Sequence, residues 1–258
     1  MLQAVARRCA SESFGCAPPI WPTPSRNGTI SGIAMSAVKL PDWEQLLSAA
    51  AHLQEILPGA TLVGGTAAAI FAGHRVSYDA DHILPDLRRR FDEVLAQLES
   101  VAGWRTARVK RPVLILGNLD GIETGVRQLL RDQPLETQEV SVGGVRLVLP
   151  TEAEMLRIKA VLILGRNATR DYLDFAALAE RLGSDRVLDA LVALDRLYPQ
   201  ASGESALQQL QVQLAQPIPY DLQQTDLTEY RRLDSKWHDW QRVKDVCAAV
   251  AIDLFRRL

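Results

Sequence analysis

Apolar positions follow two regimes along the chain. Trp43, Leu46, Leu47, Ala50, Leu53, Ile56 and Leu57 share one face of a helix opened by Pro41-Asp42. "ATLVGG" is a short apolar run closed by glycine and reads as a buried strand. "TAAAIFAG" reads as a short helix with Gly73 as its C-terminal stop. "RVSYDADHIL" reads as a strand. Alternation puts Ser77, Asp79 and Asp81 on one face and Tyr78, Ala80 and His82 on the other. Leu87, Phe91, Val94, Leu95 and Leu98 mark an amphipathic helix. "PVLILGNLDGIETGVRQLL" gives two strands about an Asn-Leu-Asp-Gly turn, and "LETQEVSVGGVRLVLP" a hairpin turning at Gly143-Gly144. From Thr151 on, the helical period takes over. "TEAEMLRIKAVLILG" opens with Thr151 and Glu154 spaced as a capping box, and "ATRDYLDFAALAERLG" follows. Further helices are expected near 184–198, 203–215 and 239–257, with the Pro-rich "QPIPYDLQQTD" between the last two. Strands with helices first and helices alone afterwards predict an α+β fold. A small mixed-sheet core would cover 35–150 and a helical domain 151–258, completing one cleft.

Composition narrows the class. The chain has 258 residues, 47% of them hydrophobic, enough for a sizeable core. A formal charge of −2 gives no global attraction to nucleic acid, so such a contact needs a local basic patch. Cys9, Cys16 and Cys247 have no metal-ligand spacing and suit a reducing cytoplasm rather than a disulfide framework. No apolar run approaches ~20 residues, so no membrane span is expected. Residues 1–34 are rich in Ser, Pro and Gly without periodicity; they read as a flexible tail, or the true start is Met35.

The chemistry concentrates between Leu62 and Leu84. Gly64-Gly65 lets backbone approach closely, the next helix offers free N–H groups and a positive dipole end, and Thr66 adds a hydroxyl. That combination makes a phosphate cradle. Asp79 and Asp81, one residue apart on a strand, point the same way, and two such carboxylates repel unless a cation lies between them. Mg²⁺ is typically held by one or two carboxylates plus substrate phosphates. The pair facing a phosphate cradle predicts metal-dependent phosphoryl or nucleotidyl transfer.

"GGTAAAIFAGHRVSYDAD" resembles the signature of the AbiEii/AbiGii toxin family, within the polymerase-beta-like nucleotidyltransferase superfamily. "EMLRIKAVLILGRNATRDYLDFAAL" is similar to that family's downstream lysine and Arg-Asp-x-x-Asp motifs. The resemblance implies a nucleotide cradle at Gly64, Gly65 and Thr66, with Arg75, Ser77 and Asp171 also at the nucleotide. It implies catalytic roles for Asp79, Asp81, Lys159 and Asp174, with Lys159 projecting from a helix edge toward the triphosphate. It further implies Mg²⁺ or Mn²⁺ on Asp79 and Asp81, an NTP donor, an RNA acceptor such as tRNA, and a cognate antitoxin. One position departs from the superfamily pattern. Gly125 stands where a third carboxylate is expected; Glu123, two residues earlier, is the substitute candidate, and Asp120 reads as a turn residue. Two readings follow: a nucleotidyltransferase, or a binding module on a degenerate scaffold of that kind.

Overall fold

The computed structural model describes residues 42–257; the expected tail or late start lies outside them. Helix α1 (Trp43–Ile56) opens on Asp42, whose carboxylate accepts from Gln45 N while the Gln45 side chain reaches back, a complete capping box. Next come β1 (Thr61–Leu62), α2 (Gly64–Ala72), β2 (Asp79–Leu84) and α3 (Phe91–Glu99). Strands β3 (Trp104–Lys110), β4 (Leu114–Leu119) and β5 (Ile122–Gln128) follow, then the hairpin β6 (Thr137–Val142) and β7 (Val145–Pro150). The rest is helical: α4 (Glu152–Arg166), α5 (Thr169–Leu182), α6 (Ser184–Leu191), α7 (Leu194–Leu197), α8 (Ala206–Ala215) and α9 (Trp240–Arg257). The fold is α+β, as its patterning predicts.

The main sheet has the order β1-β2-β5-β4-β3; β2 and β5 run parallel and the other pairs antiparallel. One face carries the apolar core: Leu84, Val126, Ile115, Leu119 and Trp104 pack with Leu53 and Leu57 of α1 and its following turn, and with Val94 and Leu98 of α3. The opposite face carries the charged residues, with Ile83, Leu114 and Leu116 among them, and the register sorts it into rows. Asp79 aligns with Glu123, Asn118 and Arg105; Asp81 with Gly125, Leu116 and Arg108; Ile83 with Arg127, Leu114 and Lys110. The helical block leans on this frame through α5 against α2 and α4 against β7. The linker into it is fixed by Arg131, whose Nη1 lies 2.8 Å from the fully buried Glu154. Arg157 closes on the other Glu154 oxygen at 2.7 Å.

Three local features differ from the sequence reading. Helix α2 starts at Gly64, so both glycines belong to its first turn. Strand β2 starts only at Asp79: Arg75–Tyr78 is a connection whose backbone bonds go elsewhere, Val76 N to Arg231 O at 2.8 Å and Asp234 N to His74 O at 2.8 Å. Strand β3, unread in the sequence, forms the far edge of the sheet.

Candidate active site

The site forms where α2 meets the start of β2. Val63, at the N-cap of α2, gives no side-chain hydrogen bond, so the first-turn N–H groups are not capped by a side chain. Gly64 has φ +76, and a Cβ there would lie 3.5 Å from the Asp81 Cβ. A Cβ on Gly65 would lie 2.5 Å from Arg75 Nη2 and 2.9 Å from Ser77 Oγ. The helix terminus, Asp81, Arg75 and Ser77 therefore crowd one spot that glycine alone keeps open. Ser77 Oγ donates to Asp79 Oδ1 at 2.7 Å. Thr66 departs from its expected role. It is fully buried, and its hydroxyl donates to the Asp79 carbonyl at 2.5 Å, turned into the fold rather than toward a ligand. It fixes the first residue of β2, and so acts on Asp79 indirectly.

Asp79 and Asp81 share a face, and Glu123 joins that face beside Asp79, exposed to solvent. Beside Asp81 stands Gly125, where a Cβ would meet Leu116 Cδ2 at 2.5 Å and Asp81 Oδ1 at 3.2 Å. The Arg127 guanidinium reaches Asp81 Oδ1 at 3.5 Å. Burial holds the Asp81 carboxyl above its ordinary range and Asp79 adds to that, while Arg127, Arg170 and Arg166 oppose it. Among the described residues no three His, Cys, Asp or Glu side chains converge as a closed metal centre. The donor set fits a Mg²⁺ or Mn²⁺ held by Asp79 and Asp81 that takes its other ligands from water and triphosphate oxygens. It does not fit a second ion beside Gly125, where Leu116 occupies the space a third carboxylate would need and Arg127 puts a positive charge on Asp81.

Behind this front lies an ion cluster. Asp174, fully buried, accepts from His74 Nε2 at 2.8 Å and from Arg75 Nε and Nη2 at 2.7 and 3.0 Å. Lys159 Nζ lies 2.7 Å from its second oxygen and 3.9 Å from Asp171. Asp171 is gripped side-on by Arg166, which donates from Nε and Nη2 to its two carboxylate oxygens. Burial opposes the Asp174 charge, but Arg75, Lys159 and His74 outweigh it and hold the carboxyl well below the usual range. Burial likewise opposes the Arg75 charge, and Asp174 more than offsets that. Lys159 is 1% exposed, so the expected projection toward a triphosphate is not what is seen: its ammonium faces Asp174 inside the fold. Arg75 links the two shells, its guanidinium over Gly65, on Asp174 and 5.7 Å from the Tyr230 ring. His82 turns into the core, as alternation predicts, with Nδ1 3.0 Å from Ala80 O.

His74, Arg127, Arg166 and Tyr230 belong to this neighbourhood and are absent from the sequence-derived set. Arg127 was within reach of sequence reasoning, because alternation from Glu123 and Gly125 puts it on their face. A groove of about 770 Å³, bordered by Phe71, Val140, Arg157 and Arg186, lies apart and contains none of the predicted site residues.

Comparison with known proteins bears on the fold. No protein-family model matches the chain. Over 125 residues the chain is 38% identical to the heme uptake protein MmpL11 of Mycobacterium tuberculosis, a match covering 47% of this chain and 12% of that protein. A mycolic acid-containing lipids exporter, MmpL11 of Mycolicibacterium smegmatis, is 34% identical over a similar stretch, again 47% of this chain and 13% of the relative. The match thus spans about an eighth of these curated relatives, and no described helix is long and apolar enough to cross a membrane. A candidate nucleotidyltransferase from H. pylori superposes with a TM-score of 0.50 at 15% identity, covering 82% of this chain and 93% of the other. The fold is therefore that of a nucleotidyltransferase-like protein.

Proposed function

We propose that the protein is a nucleotidyltransferase that moves a nucleoside monophosphate from an NTP onto an acceptor hydroxyl. The observation that carries the reading is the uncapped N-terminus of α2 set against the Asp79–Asp81 pair, so close that a Cβ on Gly64 would lie 3.5 Å from the Asp81 Cβ. The first-turn amides of α2 and the Arg75 guanidinium would take triphosphate oxygens. Asp79 and Asp81 would hold Mg²⁺ or Mn²⁺, which supplies charge neutralisation at the phosphates. In the transfer, the acceptor oxygen bonds to the α-phosphorus, the bond from that phosphorus to the α,β-bridging oxygen breaks, pyrophosphate leaves, and the hydroxyl proton passes to solvent. Asp174 is a positioning residue here: saturated by His74, Arg75 and Lys159, it is a poor base and a firm anchor for Arg75. The sequence resemblance to AbiEii/AbiGii toxins supports an RNA acceptor, tRNA among the candidates, and a cognate antitoxin.

One observation favours a second reading, a nucleotide-binding module without transfer: Gly125 in place of an acid, with Arg127 drawn to Asp81. Incubating the protein with Mg²⁺, each α-labelled NTP and total RNA separates the two. Label on RNA that disappears in Asp79→Asn is expected. NTP binding with no label transferred would leave only the module.

A further inference from the structure

Strand β3 bears cations that nothing in the fold uses. Arg105, Arg108 and Lys110 are exposed. No acidic side chain among the described residues pairs with them. Their register puts all three on the aspartate face, in the rows of Asp79, Asp81 and Ile83. The irregularity between Thr106 and Arg108 makes this possible: it skips Ala107, so Arg108 returns to the face that Arg105 occupies. From β2 to β3 there are three strand spacings, ~14 Å in all. Between them Leu116 and Asn118 are half-buried, while Leu114 and Ile83 in the Lys110 row are buried, so the accessible path runs along the rows of Arg105 and Arg108. A chain of net charge −2 thus sets three positive side chains without an acidic partner along the far edge of the face that carries the candidate active site.

We propose that this face is the acceptor platform, binding a nucleic-acid strand by its backbone phosphates on Arg105, Arg108 and Lys110 while the strand's terminal hydroxyl reaches the aspartate pair. The position of the hydroxyl rests on the nucleotidyl-transfer reading; the binding surface does not. Edge strands also carry charge to prevent strand-to-strand association. That role needs charge of either sign on either face, whereas here one sign occupies one face.

The test is binding of a labelled single-stranded RNA of about 20 nucleotides, measured against salt for the wild type and for R105Q/R108Q/K110Q. Three lost phosphate contacts at ~0.7 each should lower the slope of log affinity against log salt by about 2, roughly 100-fold in affinity near 0.1 M salt. The control R196Q/K244Q/R256Q, equal in charge but set in the helical block, should bind as wild type. R105K/R108K/K110R should restore the slope, and equal melting temperatures exclude misfolding. Asp79→Asn should abolish transfer and leave RNA binding intact, which separates the platform from the chemistry. An unchanged slope in the β3 triple variant would overturn the platform. So would self-association of that variant with unchanged RNA affinity, or poly-glutamate displacing the RNA as well as unlabelled RNA does.

Discussion

Gly65 shows how one missing methyl group sets a site. A helical glycine replaced by alanine ordinarily gains up to ~1 kcal/mol. Here the new Cβ would meet the Arg75 guanidinium at 2.5 Å and the Ser77 hydroxyl at 2.9 Å. Gly65→Ala should therefore melt within a few degrees of wild type yet bind NTP at least ~10-fold more weakly, because Arg75 is pushed off the helix terminus. Titration calorimetry with a non-hydrolysable NTP checks it; wild-type affinity would remove Arg75 from the phosphate site. Thr66 gives the reverse signature. Thr66→Val removes one hydrogen bond to the Asp79 carbonyl, about 1 kcal/mol, and should lower the melting temperature by about 2–4 °C.

At the scale of elements, β5 sets what metal chemistry the sheet supports. Gly125 stands directly opposite Asp81, and Leu116 covers it from β4. Gly125→Asp with Leu116→Ala would put a third carboxylate in the Asp81 row with room to fit. Mn²⁺ affinity, read by titration calorimetry, should rise several-fold. An unchanged affinity would mean that Arg127, not the missing acid, limits the site. Much of this element was legible in the sequence. Alternation joined Asp79 to Asp81 and sent His82 to the core, and the turn residues Asp120 and Gly121 do adopt positive φ, 54 and 87. Strand β3 was not legible. "WRTARVK" turns only Trp104 and Val109 toward the apolar cluster, its edge position leaves the rest solvated, and its irregular register breaks the alternation. Nor was the Asp174 cluster. A lysine on a helix reads as solvated until its acid arrives from another helix, and Arg75 meets Asp174 across 99 residues of chain.

Across the whole molecule, the buried imidazoles tie stability to pH. Burial lowers His74, with Asp174 partly opposing, and lowers His82 to about 4 from an ordinary 6.5. The native state thus binds fewer protons than the unfolded chain in weak acid, and stability must rise with pH there. The contribution is fully present above pH 6.5 and is lost as pH falls toward 4. For His82 alone that is on the order of 3 kcal/mol over the full window. Asp174, held low by its cations, adds a second loss in the same direction, but only below the ordinary carboxylate range. Asp81 acts oppositely: its raised pKa relieves the native state as pH falls, so Asp81→Asn should make the acid decline steeper. Between pH 7.5 and 5 the wild-type melting temperature should drop by several degrees. His82→Leu, which removes the titrating group and keeps the site apolar, should flatten the curve. His74→Gln keeps a donor toward Asp174 and should flatten it further. A wild-type melting temperature constant over that range would mean that both imidazoles gain protons in the native fold. The His74–Arg75 connection would then have to open to water, and with it the anchor that holds Arg75 over the helix terminus.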